Sequence, residues 1–144
     1  MKITTWNVNG FRAVLKKGFQ EKIATLNPDI LCLQETKAKL EQINDGSAEL
    51  DGYKLIWNSA LRPGYSGVAT YVKSNLDYSQ LELGIGNEEF DNEGRTIKIE
   101  TNQFILFNIY FPNGQRGQDR VDFKLRFYEK LLENCEVFHK NGKL

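Results

Sequence analysis

The chain has 144 residues, of which 40% are hydrophobic, 12% aromatic and 26% charged, with 19 Lys and Arg against 19 Asp and Glu. This length accommodates one domain, and the apolar content excludes a disordered or fibrous protein. Zero net charge excludes a global positive field, so an anionic partner has to be held by a local patch.

The segment Lys2 to Val8 has the length and β-branched content of a strand, and Asn9-Gly10 ends it with turn chemistry. Gly18 to Leu26 reads as a helix, with Phe19, Ile23 and Leu26 on one face and Asn27-Pro28 as its stop. Asp29-Ile30-Leu31-Cys32-Leu33 is a near-continuous apolar run, as in a strand buried on both faces. Strand, helix and buried strand together predict a βαβ unit. Five β-rich runs follow at Tyr53–Asn58, Val68–Lys73, Tyr78–Leu83, Thr96–Glu100 and Phe104–Phe111. The separator Arg62-Pro63-Gly64-Tyr65-Ser66-Gly67 is the most loop-like. A long helix is expected from about Arg120 to His139, with Asp119 as N-cap and Gly142 past its end. Its expected apolar stripe is Val121, Leu125, Tyr128, Leu132 and Cys135. A strand and helix of this kind normally lead into a further parallel strand, so the chain reads as cut within a crossover. A sheet built from Ile30–Leu33 and Phe104–Phe111 is then expected to have only one face covered by helices.

Cys32 and Cys135 both lie in apolar patterns and read as free thiols in a reducing compartment. The N-terminus lacks a signal-peptide run, and the longest apolar stretch, Phe104 to Phe111, is short and carries Asn108. The expected setting is cytoplasmic, with no membrane partner.

Asn7 closes the first βαβ strand and Gln34-Glu35 the second, at the sheet edge where α/β proteins bind ligands. An amide oxygen and a carboxylate there are hard donors that suit Mg²⁺ with waters left on the metal. Tyr110-Phe111-Pro112-Asn113-Gly114-Gln115-Arg116-Gly117 puts a phenol, an amide and a guanidinium on a loop stiffened by Pro, a set able to grip a phosphate. Glu93-Gly94-Arg95 adds a cation beside a tight turn. Each motif taken singly also fits an ordinary turn or strand end.

Taken together the motifs resemble the exonuclease III-type AP endonucleases. The resemblance runs through Trp6-Asn7-Val8-Asn9-Gly10-Phe11-Arg12-Ala13, Leu33-Gln34-Glu35-Thr36-Lys37, Tyr65-Ser66-Gly67-Val68-Ala69, Asp91-Asn92-Glu93-Gly94-Arg95 and Tyr110-Phe111-Pro112-Asn113. The Gln-Glu pair is shared by the wider endonuclease/exonuclease/phosphatase superfamily, whereas the whole series is specific to this branch. The implied fold is α/β, the N-terminal half of a four-layer αββα sandwich of deoxyribonuclease I type, spanning residues 1–144. The implied activity is metal-dependent hydrolysis of DNA, cutting 5′ to abasic sites in double-stranded DNA and degrading duplex ends from the 3′ side. Asn7 and Glu35 match the residues at the metal, Mg²⁺ or Mn²⁺, with Glu35 as direct ligand. Tyr110 and Asn113 match catalytic positions at the scissile phosphate, and Arg116 an arginine that reaches the DNA. Arg12, Lys37, Tyr65 and Arg95 match positions near the DNA backbone or the metal. Asn9 stands where some relatives have Asp.

The family's later motifs, a Gly-Asp-x-Asn and a terminal Asp-His pair, have no match here, and His139, the only histidine, lies in the last turn of a helix. The resemblance therefore implies that the C-terminal half of the domain is absent and that the 144 residues are inactive alone. Two other readings stay open: a non-catalytic DNA-binding fragment or truncated reading frame, and a superfamily phosphatase acting on a small phosphoester.

Overall fold

A computed structural model describes residues 1–43 and 45–142. The expected βαβ unit is formed by β1 (Ile3–Asn7), α1 (Phe11–Leu15), α2 (Phe19–Leu26) and β2 (Ile30–Gln34). β3 (Tyr53–Asn58) and β4 (Val68–Lys73) complete a four-stranded sheet in the order β1-β2-β4-β3. β1 and β2 pair parallel, with Asn7 opposite Gln34, and β4 runs antiparallel to both its neighbours. β5 (Ser79–Gln80), β6 (Thr96–Glu100) and β7 (Ile105–Ile109) form a second, antiparallel sheet. The short α3 (Glu88–Asp91) precedes β6, and α4 (Gln118–Lys140) follows β7.

Alternation along the strands builds the layers. Leu31, Leu33 and Tyr71 point to one side of the first sheet and pack on Phe11, Phe19 and Ile23 of α1 and α2. Ile30, Cys32, Val68 and Val72 point to the other side and meet Ile97 and Ile99 of the second sheet. The far side of the second sheet is covered by Phe123 and Phe127 of α4, which pack with Phe90, Ile85 and Ile109. The result is helix, sheet, sheet, helix, the four-layer α/β architecture expected from the sequence.

The layering overturns one expectation. The face of the β2 sheet that the helices leave open is covered by the second sheet, because β2 and β7 belong to different sheets that stack face to face. What remains open are edges: among the described residues β1 and β7 are each paired on one side only. On β1 the side chains facing the second sheet's side, Ile3, Thr5 and Asn7, are exposed.

Three local expectations also change. The run Tyr78–Leu83 is strand only at Ser79 and Gln80; beyond them Leu81 N–H still donates to the Lys98 carbonyl at 3.1 Å before a turn with Gly84 and Gly86 follows. α4 starts earlier than expected, after Gly117, and Asp119 lies in its first turn, where its charge complements the dipole instead of capping. The buried residues of α4 are Phe123 and Phe127, with Tyr128 and Leu131 partly buried against the same cluster, so of the expected stripe Tyr128 alone joins this cluster. Leu125 and Leu132 are 54% and 62% exposed, and Cys135 is exposed as well. The aromatic pair wins the interior because both rings meet Phe90 edge to face, at 5.0 and 5.5 Å between centroids. Cys32 is buried as expected, and its thiol is pushed up to about 12 by burial alone.

The two faces of α4 give opposite outcomes on truncation. Phe127→Ala should cost about 3–5 kcal/mol, while Leu132→Ala should change stability by no more than about 0.5 kcal/mol. Urea midpoints of the two variants distinguish the faces, and equal losses would reverse the assignment.

Candidate active site

Glu35 follows the last residue of β2 with a backbone turned into the left-handed region, φ 55°, as does Lys37 at φ 52°. That conformation costs a non-glycine residue about 1–2 kcal/mol. It is held by flanking backbone bonds: Gly10 N–H donates to Glu35 O at 2.7 Å and Phe11 N–H to Thr36 O at 2.9 Å. From the other side Thr36 N–H donates to Gly67 O at 3.1 Å and Lys37 N–H to Ser66 O at 2.9 Å. Gly67 has to be glycine twice over, since φ is 88° and a Cβ would collide with the Thr36 hydroxyl. The clamp lifts the Glu35 carboxylate off the sheet edge into an open cleft of about 1000 Å³.

In the cleft, Asn7 Nδ2 donates to Glu35 Oε1 at 2.8 Å, and Asn7 Oδ1 accepts from the Asn9 N–H at 3.1 Å. Lys37 Nζ lies 3.1 Å from Glu35 Oε2 and also donates to Asn9 Oδ1. Burial by itself would raise the Glu35 carboxyl; the Asn7 amide, the Lys37 ammonium and the Tyr110 hydroxyl outweigh it and hold it below the ordinary range. Tyr110, just past β7, moves the other way: burial, then the Glu35 charge, push its phenol above the ordinary range. At neutral pH the site therefore presents a carboxylate beside a protonated phenol.

Behind Tyr110 lies a buried cationic strut. Arg95 is 3% exposed and its guanidinium lies 4.9 Å from the Tyr110 ring centre and 5.7 Å from that of Tyr65. It donates to Glu93 Oε2 at 2.6 Å, to the Tyr110 carbonyl at 2.9 Å and to the Tyr65 hydroxyl at 2.9 Å. Glu93 also binds Arg120 of α4 through both oxygens, at 2.9 and 3.1 Å. The strut ties α4, the turn before β6 and the end of β7 together.

The cleft thus brings together Asn7, Glu35, Lys37, Tyr65, Arg95, Tyr110, Asn113 and Arg116. Asn113 and Arg116 line it as exposed side chains on the loop before α4. Arg12 does not join them; it is exposed on α1 and lines a separate groove with Lys16. Arg95, expected near phosphate, is enclosed and occupied with protein partners. Arg120 and Glu93 line the cleft without having been singled out as a pair, because a helix residue and a turn residue 27 positions apart show no common pattern in sequence.

The residues fit a divalent cation of the Mg²⁺ type. Glu35 offers one ionised hard oxygen donor, which Asn7 orients through Oε1. Among the described residues no three His, Cys, Asp or Glu side chains gather, so no complete protein cage exists. Mg²⁺ is commonly held by one or two carboxylates, with waters and substrate phosphate filling the rest.

Residues 4–138 match the model of the Endonuclease/Exonuclease/phosphatase family. The chain belongs to that family. It is 42% identical over 135 residues to the exodeoxyribonuclease of Bacillus subtilis, covering 92% of this chain and 51% of the relative. It is 40% identical over 134 residues to the DNA-(apurinic or apyrimidinic site) endonuclease of Dictyostelium discoideum, covering 90% of this chain and 35% of that protein. Its fold superposes on the Xenopus laevis APE2 catalytic domain with a TM-score of 0.79 and 33% identity, covering 99% of this chain and 55% of that one. The chain spans about half the length of the Bacillus relative.

In this family member the Glu93 ion pairs give a pH signature. Burial would raise the Glu93 carboxyl, and the Arg120 and Arg95 bonds override it, so its folded pKa lies below the ordinary 4.5. A lowered folded pKa stabilises at pH above the unfolded value, and that stability is lost as pH falls through the folded value. Glu93→Gln should cost about 1.5–3 kcal/mol at pH 7. Below about pH 4.5 its stability should fall less steeply with acid than that of the parent chain. Denaturant unfolding at stepped pH checks both, and parallel pH profiles would exclude Glu93 as a source of the acid sensitivity.

Proposed function

We propose that residues 1–144 are the N-terminal part of a metal-dependent DNA phosphodiesterase that incises 5′ to abasic sites and removes nucleotides from 3′ ends of duplexes. The observation that carries this reading is the meeting of ionised Glu35, protonated Tyr110, Asn113 and Arg116 in one cleft. The family and the names of the relatives support DNA as the polymer bound. Two free cysteines accord with a reducing, cytoplasmic setting.

Glu35, oriented by Asn7, is the residue to hold Mg²⁺ or Mn²⁺, which when bound neutralises charge on the phosphate. Tyr110 donates its hydroxyl to a non-bridging phosphate oxygen, and its raised pKa keeps that proton in place at neutral pH. Asn113 supplies an amide to the same group. Arg116 contacts a backbone phosphate, and Arg12 extends the contact along flanking DNA. Lys37 and Tyr65 border the phosphate path, while Arg95 holds the Tyr110 carbonyl and the Tyr65 hydroxyl instead of binding DNA. The water-activating group belongs to the remainder of the domain, and the 144 residues alone bind DNA without cutting it.

The test is cleavage of a duplex with one abasic site in Mg²⁺, using the chain extended to the full domain. Activity should vanish in Glu35→Ala and fall about 10²–10³-fold in Tyr110→Phe. Unchanged Mg²⁺ dependence in Glu35→Ala would remove Glu35 from the metal site. With the 144-residue chain, Arg116→Ala should weaken duplex binding equally across sequences and reduce the salt slope by about one. Anisotropy at stepped salt reads this, and a sequence-selective loss would contradict the phosphate assignment.

A further inference from the structure

Between the two sheets lies an apolar layer interrupted, among the described residues, by a polar cluster around Asn108 and, further along, by Asn58, whose Nδ2 donates to the Thr96 carbonyl at 2.9 Å. Asn108 of β7 is 3% exposed and lies on the face of the second sheet that carries Leu106 and Tyr110, opposite the first sheet. Its Nδ2 lies 2.9 Å from the Ala69 carbonyl, 3.3 Å from the Leu33 carbonyl and 3.0 Å from Thr70 Oγ1. Its Oδ1 accepts from Gln34 Nε2 at 2.8 Å. Gln34 is bound in turn to the Thr5 hydroxyl, at 3.0 Å. The amide orientation is fixed by its surroundings: two backbone carbonyls can only accept, so nitrogen must face them. One chain of hydrogen bonds therefore links β1, β2, β4 and β7 across both sheets.

Three contributors to this chain lie within two residues of a cleft residue. Thr5 precedes Asn7 by two positions, Gln34 precedes Glu35 by one, and Asn108 precedes Tyr110 by two. Apolar contacts between sheets are tolerant of sliding, since burial has no direction. A buried amide that must satisfy fixed carbonyls is not tolerant, because a shift leaves it unpaired at about 1–3 kcal/mol. We propose that Asn108 is a positioning residue that sets the stagger of the second sheet on the first, and so holds Tyr110 against Glu35. Its catalytic consequence rests on the function proposed above; its geometric consequence does not.

The experiment labels the 144-residue chain with 3-fluorotyrosine and follows the Tyr110 fluorine resonance, assigned by its loss in Tyr110→Phe. Asn108→Leu, similar in size but unable to hydrogen bond, should move that resonance toward its position in Glu35→Ala, since the phenol loses the carboxylate in both. Asn108→Thr keeps a donor and an acceptor and should leave the resonance near its parent position. If Asn108→Leu does not fold, Gln34→Met cuts the same link from the half-buried β2 side and should give the same displacement. In the full domain, Asn108→Leu should lower kcat about 10²-fold with KM for abasic duplex changed less than about twofold. A folded Asn108→Leu or Gln34→Met protein with an unmoved Tyr110 resonance overturns the proposal. A moved resonance with unchanged kcat upholds the positioning and instead overturns the role given to Tyr110.

Discussion

Because β1 and β2 pair parallel with Asn7 opposite Gln34, both strands leave the sheet at one edge, and the residues that end them meet there. An antiparallel pairing would have put Asn7 and Glu35 at opposite ends of the sheet. The parallel pair requires a crossover, which α1 and α2 supply, and the crossover covers one face of the sheet with Phe11, Phe19 and Ile23. The other face is then available to the second sheet, which brings the end of β7, and with it Tyr110, over the same edge. The cleft is the place where three strand ends from two sheets are made to coincide.

That coincidence is held by polar groups that contribute little to net stability. The Glu35–Lys37 segment is left-handed at two non-glycine residues, and Asn9 and Ser66 beside it are left-handed as well, at φ 45° and 50°. Four such residues around one cleft concentrate strain where backbone hydrogen bonds from two loops over-determine the conformation. Arg95 and Glu93 form a nearly enclosed ion pair, whose desolvation offsets most of its attraction. These features specify position, and the three apolar clusters stabilise the fold around them.

The strands and the long helix were legible in the sequence because periodicity and turn residues mark them; Tyr53–Asn58, Val68–Lys73 and Thr96–Glu100 fall where the pattern puts them. Asn7 and Glu35 were legible as neighbours because the parallel βαβ rule places strand ends together. The division of the strands into two sheets was not. β2 and β7 are both near-continuous apolar runs, and nothing in either run says whether they share hydrogen bonds or only side-chain contact. The buried face of α4 was misread because Val121, Leu125, Tyr128, Leu132 and Cys135 make as regular a stripe as Phe123, Phe127 and Leu131; only the position of Phe90 decides between them. Arg95 reads as a surface cation from its turn, and its burial depends on Tyr65 and Glu93 closing over it.

Zero net charge leaves binding of a polyanion to the local charge of the cleft, and there most cations are already neutralised. Lys37 is paired with Glu35, and Arg95 and Arg120 share Glu93. Arg62 and Arg116 line the cleft without a carboxylate partner among the described residues. Arg62 lies 5.2 Å from the Tyr65 ring centre, which orients the guanidinium without cancelling its charge. With Arg12 outside the cleft, about three such cations amount to a salt slope near −2.7 on duplex DNA, below that of a protein making six to ten phosphate contacts. Under the proposed function, residues 1–144 therefore place the phosphate and supply only a small part of the affinity. Placement and affinity are separable here because the paired cations have been spent on rigidity: Lys37 on the carboxylate, Arg95 and Arg120 on the strut behind Tyr110. A cleft of this kind gains its hold on a polymer from surfaces on either side of it, and gains its selectivity from how firmly its few free groups are held in place.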